Sequence, residues 1–137
     1  QMERIGELIK RKREIFNSYR EGLEALPGLS MNLELPGTVN GAWMPTVVFT
    51  PETEITREKL QAGFAAENVD ARVFFWPLSG LSMFTSNVSN IQAWSIPERS
   101  INLPSFHDMS DDEQHRVVGV IESLLDRESE IGQQHGT

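Results

Sequence analysis

The sequence predicts an α+β domain, in which a small, mainly antiparallel sheet of three or four strands packs against helices. Both ends of the chain carry apolar residues at helical spacing, and short extended segments lie between them. Pro-Gly and Asn-Gly pairs mark turns between these segments. With 137 residues, of which 39% are hydrophobic, the chain has enough apolar material for one core. We expect one domain over residues 1–130 and a flexible tail over residues 131–137.

The composition excludes several classes of function. The chain has no cysteine, which rules out disulfides, thiolate zinc sites and a cysteine nucleophile. Its formal net charge of −8 argues against nucleic acid as a partner. No apolar run is long enough to cross a membrane, and the first residues lack a signal-peptide pattern. These features favour a cytoplasmic protein.

A long amphipathic helix is predicted over residues 3–25, and Pro27-Gly28 ends it. One apolar stripe repeats along it at helical spacing, at Ile5, Leu8, Ile9, Phe16, Tyr19, Leu23 and Leu26. The helix has no N-cap signal and holds half of the basic residues of the chain. We expect a helix that was cut out of a longer chain.

Four extended segments are predicted. Alternation over residues 29–35 indicates the first strand, and the apolar run 43–50 indicates the second. Pro45 cannot donate a ladder hydrogen bond, so the second strand is at a sheet edge there or begins after it. Residues 71–75 form a third strand and residues 101–104 a short fourth piece. A helix capped by Thr56 and ending near Asn68 separates the second strand from the third.

The second half of the chain contains a long loop and two predicted helices. Residues 76–90 are rich in Pro, Gly, Ser and Asn, and a loop of this length tends to be functional. Asn90 is predicted to cap a short helix that ends near Ser100. Ser110 and Glu113 have the spacing of a capping box, which starts a final, acidic helix.

The aromatic segment 72–78 is the most unusual stretch and allows two interpretations. Alternation places Arg72 and Phe74 on one face of a strand and Phe75 on the other. In the first interpretation the segment is a core strand with an arginine at its rim. In the second, Arg72 and aromatic side chains, with Trp43 from the neighbouring strand, line a cleft that suits an anionic group such as a phosphate.

The sequence contains no motif that is typical of a metalloenzyme, a serine hydrolase or a phosphate-binding loop. No metal-binding histidine spacing, nucleophile elbow or glycine-rich phosphate loop is present. A hydrolase that uses His107 and a serine is the weakest alternative. Each of the three lysines, Lys10, Lys12 and Lys59, is predicted to be solvated, so none is a candidate for a Schiff base.

Four motifs in order nevertheless resemble one family. They are KREIFNSYREGL at residues 12–23, NGAWMPTVV at 40–48, NVDAR followed by FWPL at 68–78, and INLPS followed by SDDE at 101–113. Together they are similar to the C-terminal small domain of the DegT/DnrJ/EryC1/StrS family. Members are fold-type I, pyridoxal phosphate-dependent enzymes that act on nucleotide-linked keto sugars.

The resemblance implies part of an enzyme, inactive alone. A missing N-terminal large domain would hold pyridoxal or pyridoxamine 5′-phosphate, so this chain alone would bind no cofactor and supply no catalytic residue. The parent would be a homodimer. The small domain would line the nucleotide-sugar cleft, with the 76–90 loop at its mouth. The implied substrate-cleft residues are Trp43, Arg72, Phe74, Phe75, Trp76 and Ser79.

Two positions differ from a common pattern of the family. Met44-Pro45-Thr46 stands where many members have His-Leu-Tyr, and Ser79 stands where many have histidine. These differences resemble a subgroup that includes perosamine-type aminotransferases and pyridoxamine phosphate-dependent dehydrases, so both reactions stay open. A free-standing protein-interaction module of the same architecture is the alternative function.

Overall fold

The computed structural model describes residues 2–135 of the chain, and in them it contains four α-helices and a four-stranded sheet. In chain order these are α1 (Ile5–Leu23), β1 (Leu29–Met31), β2 (Thr46–Phe49), α2 (Arg57–Ala66), β3 (Arg72–Val73), α3 (Ile91–Ser95), β4 (Ser100–Asn102) and α4 (Asp111–His135). Short 3-10 turns precede α1 and follow β2 and α3. None of the helices in the described part is both long and apolar enough to cross a bilayer.

The sheet has the strand order β1-β2-β4-β3, and every neighbouring pair is antiparallel. Val47 of β2 and Val73 of β3 both lie opposite Ile101 of β4, so these three side chains share one face. On that face Val47 and Ile101 are buried in the core, and Val73 at the edge is half-buried. The predicted α+β class and antiparallel sheet are confirmed.

Helices α1, α2 and α4 pack on the core. Tyr19 and Leu23 of α1, Leu60 and Phe64 of α2, and Ile121 of α4 are all buried. Each helix buries one stripe, as the helical spacing of its apolar residues predicts. Burial of such side chains, each worth about 1.5–3 kcal/mol, holds the helices to the sheet.

The first strand is shorter than predicted. After Met31, hydrogen bonds from the Asn32 side chain take the place of backbone hydrogen bonds to the second strand. The Asn32 Oδ1 accepts from the Thr46 amide at 2.7 Å, and its Nδ2 donates to the Met44 carbonyl at 3.3 Å. The strand therefore ends at Met31, and Leu33 and Leu35 are exposed. The prediction of a strand over residues 29–35 is therefore wrong for residues 32–35.

The other predicted boundaries also change. The second strand begins at Thr46, directly after Pro45, which is one of the two starts that the missing amide hydrogen of Pro45 predicts. The third strand ends at Val73, because the Phe74 carbonyl accepts from the Arg57 guanidinium. Helix α3 begins without a side-chain hydrogen bond from Asn90. The Thr56 cap is confirmed: its hydroxyl accepts from the Lys59 amide.

The final helix is longer than predicted. The Ser110–Glu113 capping box is confirmed, since the Glu113 carboxylate accepts from the Ser110 amide at 2.7 Å and the Ser110 hydroxyl accepts from the Glu113 amide at 3.3 Å. Helix α4 then runs to His135, so residues 131–135 are helical where the composition predicted a flexible tail. Residues 136 and 137 of that tail lie outside the described residues.

Candidate functional site

A cleft of about 480 Å³ opens where α1, the segment before β2, β3 and the start of α4 meet. We call it the cleft. Trp43 and Phe106 form exposed aromatic walls, and the side chains of Asn102 and Met109 form buried parts of its lining. The backbone directs Trp43 outward: Ala42 is buried and has a left-handed φ of 50°, and Trp43 is 70% exposed.

Three cationic side chains line the cleft: Lys12, Arg72 and Arg116. The Lys12 Nζ donates to the Ser105 carbonyl and, at 3.0 Å, to the Ser105 hydroxyl. Burial lowers the pKa of the Lys12 ammonium. Arg72 is different, because its side chain is 79% exposed and its nearest carboxylate, Asp70, lies at 4.0 Å. Arg72 is thus available to a ligand.

A polar row crosses the sheet next to the cleft. Thr46, Asn102 and Arg72 are in register on β2, β4 and β3, on the face opposite to the core. The Thr46 hydroxyl donates to the Asn102 Oδ1 at 2.8 Å, and both side chains are buried. The Asn102 Nδ2 in turn donates to the Val73 carbonyl at 3.5 Å, so both ends of this amide are paired within the sheet. The cleft therefore offers cations and aromatic surfaces to a ligand, and these groups can bind an anionic ligand that carries a planar ring.

The predicted site residues divide into two groups. Trp43 and Arg72 lie in the cleft. Phe74, Phe75, Trp76 and Ser79 instead belong to residues 74–97, which we call the aromatic loop. The alternation predicted for residues 72–78 does not continue, since the strand ends at Val73.

The aromatic side chains at the start of the aromatic loop contact one another and Arg57. The rings of Phe74 and Phe75 are 6.0 Å apart and tilted, and the Arg57 guanidinium lies 4.8 Å from the Trp76 ring. The Ser79 hydroxyl oxygen is buried and has no hydrogen-bond partner among the described residues. Much of the rest of the loop surface is apolar and exposed, at Leu78, Leu81, Met83, Phe84 and Val88.

The sequence reasoning missed Lys12 and Asn102 as cleft residues. It assigned all three lysines to solvent, but Lys12 is half-buried in the cleft, and Lys59 forms a 2.6 Å ion pair with Glu128. A signal for Lys12 exists in the sequence, because it lies three and seven residues before the buried Ile15 and Tyr19. This spacing places it on the inward stripe of α1.

His107 and metal binding can be assessed from the same geometry. The His107 Nε2 lies 3.9 Å from a Glu7 carboxylate oxygen, and the His107 carbonyl accepts from Arg11. These contacts hold the loop before α4 against α1.

In the described part of the chain, no three His, Asp or Glu side chains are grouped so that they could hold a metal ion.

Comparison with known proteins decides the family. The profile of the DegT/DnrJ/EryC1/StrS aminotransferase family matches residues 1–122. The chain belongs to this family. It is 30% identical over 129 residues to GDP-perosamine synthase from Vibrio cholerae, a match that covers 91% of this chain and 35% of that protein.

One further relative and one solved structure add to this comparison. EpsN of Bacillus subtilis strain 168, which carries the name of a pyridoxal phosphate-dependent aminotransferase, is 30% identical over 131 residues, covering 91% of this chain and 33% of EpsN. The aminotransferase TlmJ from Streptoalloteichus hindustanus has the same fold with a TM-score of 0.80 at 23% identity, covering 93% of this chain and 34% of TlmJ. The chain thus spans about one third of the length of these relatives.

A site that holds pyridoxal phosphate covalently depends on a lysine amine, and the three lysines of this chain differ in their surroundings. Such a site requires an amine that is free to form a Schiff base. Lys12 is the lysine that lines the cleft, and its Nζ already donates to Ser105. Lys59 is paired with Glu128, and Lys10 is exposed on α1 within 3.9 Å of Glu14. The Lys10 side chain, at 80% exposed, is therefore the amine most open to a reagent in solution.

Proposed function

We propose that this chain is the small C-terminal domain of a pyridoxal or pyridoxamine phosphate-dependent enzyme that acts on nucleotide-linked keto-deoxysugars. The observation that carries the proposal is the family match over residues 1–122 in a chain one third as long as its relatives. The parent is a sugar aminotransferase or a dehydrase in polysaccharide or O-antigen sugar biosynthesis. It is a cytoplasmic homodimer, and this domain alone is inactive.

The cleft supports the substrate class. Arg72 is exposed, and a guanidinium binds phosphate oxygens through paired hydrogen bonds. Trp43 provides a planar surface on which a nucleotide base or a sugar can pack. GDP-perosamine synthase, the relative from Vibrio cholerae, carries the name of a nucleotide sugar. We assign Trp43 and Arg72 to one wall of the nucleotide-sugar site.

The aromatic loop supports a missing large domain as the partner. Phe75, Leu78, Met83 and Val88 are exposed, and large apolar side chains left exposed on one segment are typical of an interface. In the proposed parent, this surface contacts the N-terminal large domain at the mouth of the active site. Phe74, Phe75, Trp76 and Ser79 then border the substrate without taking part in the chemistry.

The cofactor belongs to the large domain. When bound, pyridoxal or pyridoxamine phosphate supplies the electron sink for chemistry at a carbon next to nitrogen. The residues of this chain bind and orient the sugar nucleotide and exclude water. The side chain at the cofactor-binding position of the large domain, lysine or histidine, decides between transamination and dehydration.

The exposed aromatic loop also favours a second candidate, a free-standing module that binds a protein partner. The nucleotide sequence before the codon of Gln1 separates the two candidates. An in-frame coding segment with a cofactor-binding lysine or histidine supports the enzyme domain. A stop codon directly upstream contradicts it and supports the module.

Cofactor binding tests the proposal in the protein itself. The purified chain is mixed with pyridoxal phosphate, reduced with borohydride and mapped by mass spectrometry, with Lys10→Arg as the control for labelling of an exposed amine. We expect labelling at Lys10 and none at Lys12, and no turnover of a nucleotide-linked keto-deoxysugar. Specific labelling at Lys12, or turnover by this chain alone, contradicts the proposal.

A further inference from the structure

The aromatic loop is held at both of its ends by one side chain. The Nη1 atom of Arg57 donates to the Phe74 carbonyl at 2.8 Å and to the Pro97 carbonyl at 3.1 Å. These carbonyls belong to the first residue and the last residue of the loop. The Arg57 guanidinium therefore bridges the two ends of the loop, next to the pairing of Val73 with Ile101 that also brings these ends together.

The same guanidinium also orients an aromatic ring. The Arg57 Cζ lies 4.8 Å from the centroid of the Trp76 ring, within the range of a cation–π interaction. Arg57 therefore sets the position of the backbone at Phe74 and the direction of the side chain two residues later. A planar guanidinium can do both at once, which a lysine ammonium cannot.

Arg57 is itself anchored to the core. It is the first residue of α2, whose N-cap is Thr56 and whose Leu60 and Phe64 are buried. Leu60, one helical turn after Arg57, is buried in the core and fixes the start of α2. The position of the loop is thus coupled to a rigid element.

The interior of the loop is held mainly by its own residues. The Trp94 Nε1 donates to the Asn87 carbonyl at 3.0 Å. The Trp94 ring also lies so close to Gly80 that a Cβ there would be 3.0 Å from it. These contacts keep the loop compact, but they do not fix its direction relative to the sheet, which leaves that role to the contacts at its ends.

We propose that Arg57 is a positioning residue that ties both ends of the aromatic loop to α2 and thereby directs Phe75 and Trp76 toward the substrate. The second part rests on the proposed function, in which the loop lies at the mouth of the active site. Arg57 does not touch the substrate in this proposal. It acts through the loop.

The first test uses the 137-residue chain and does not depend on activity. Arg57→Met removes the donors and the charge, and Arg127→Met removes an exposed arginine of α4 as the matched control. We expect amide exchange in residues 75–96 of the Arg57→Met variant to be about 10-fold faster, with α4 unchanged. The indole NMR signals of Trp76 and Trp94 should shift and that of Trp43 should not. Wild-type loop exchange and indole signals would overturn the proposal.

A conservative variant and an activity measurement complete the test. If Arg57→Met does not fold, Arg57→Lys is measured by the same criteria, since it keeps the charge but not the planar fork. In the full-length gene product, Arg57→Met should raise the KM for the nucleotide sugar more than it lowers kcat. A loosened loop with an unchanged KM would overturn the second part of the proposal and, with it, the assignment of the loop to the substrate mouth.

Discussion

The Tyr19 hydroxyl donates a 2.8 Å hydrogen bond to the Pro104 carbonyl, which joins the middle of α1 to the segment that lines the cleft. Tyr19 is fully buried, and its hydroxyl also lies 3.3 Å from the Met109 sulfur. Burial, aided by the negative charge of Glu113, raises the pKa of the Tyr19 phenol. The shape of the cleft thus depends on one neutral phenol.

The raised pKa predicts how stability responds to alkaline pH. The folded phenol keeps its proton while the unfolded phenol loses it near pH 10, so this contribution to stability is present below pH 10 and is lost as the pH rises above it. Because Tyr19 is the single tyrosine of the chain, tyrosinate absorbance at 295 nm reports it alone. We expect that absorbance to rise only as circular dichroism shows unfolding. A titration near pH 10 in the folded chain would contradict this prediction.

A second prediction concerns the buried pair of Thr46 and Asn102. Thr46→Val keeps the shape but leaves the Asn102 Oδ1 without its donor, and an unsatisfied buried acceptor costs about 1–3 kcal/mol. Thr38→Val is the matched control, because the Thr38 hydroxyl bonds to Leu35 in an exposed turn and should change stability by less than about 0.5 kcal/mol. Urea denaturation measures both. Equal effects of the two variants would show that the buried hydrogen bond has no special role.

The fold could be predicted from the sequence where apolar periodicity and capping chemistry agree. The stripe of α1, the Thr56 cap and the Ser110 capping box are local signals, and each was sufficient for its element. Strand ends could not be predicted, because they depend on distant partners. Asn32 ends β1 by bonding across 14 residues, and Arg57 binds the carbonyl that follows β3 from 17 residues away.

The residues of the candidate site were also only partly predictable from the sequence. Trp43 and Arg72 both line the cleft, and their contact with a substrate stays a prediction. Phe74 and Phe75 follow the end of the strand at Val73 and do not line the cleft, so their place beside a substrate stays a prediction from the resemblance. Lys12 was missed because lysine is rarely buried, although its place on the inward stripe of α1 was visible.

A third prediction compares two glycines on packed helices. A Cβ at Gly63 of α2 would lie 2.9–3.2 Å from three atoms of the buried Leu124 side chain, whereas one at Gly119 of α4 would meet nothing within 4 Å. Alanine gains up to about 1 kcal/mol of helix propensity at either position. At Gly63 overpacking of about 1–3 kcal/mol outweighs that gain. Gly63→Ala should lower the midpoint of urea unfolding and Gly119→Ala should raise it; shifts of the same sign would contradict the packing between α2 and α4.

The last prediction concerns acid stability at the start of α4. Hydrogen bonds from the Ser110 amide at 2.7 Å and hydroxyl at 2.8 Å lower the pKa of the Glu113 carboxyl. A lowered folded-state pKa adds stability above the unfolded value of about 4.5, and this stability is lost as the pH falls through the folded value. Glu113→Gln should therefore flatten the stability profile of the chain below pH 4.5.

Ser110→Ala provides the control for this prediction, because it removes the hydroxyl and keeps the carboxylate. By carbon-detected NMR the pKa of Glu113 should rise toward its ordinary value in this variant. The double variant should flatten the acid profile no further than Glu113→Gln alone, since the two residues act as one cap. An additive effect would show that Glu113 acts through a partner other than Ser110, and α4 would then begin without a reciprocal capping box.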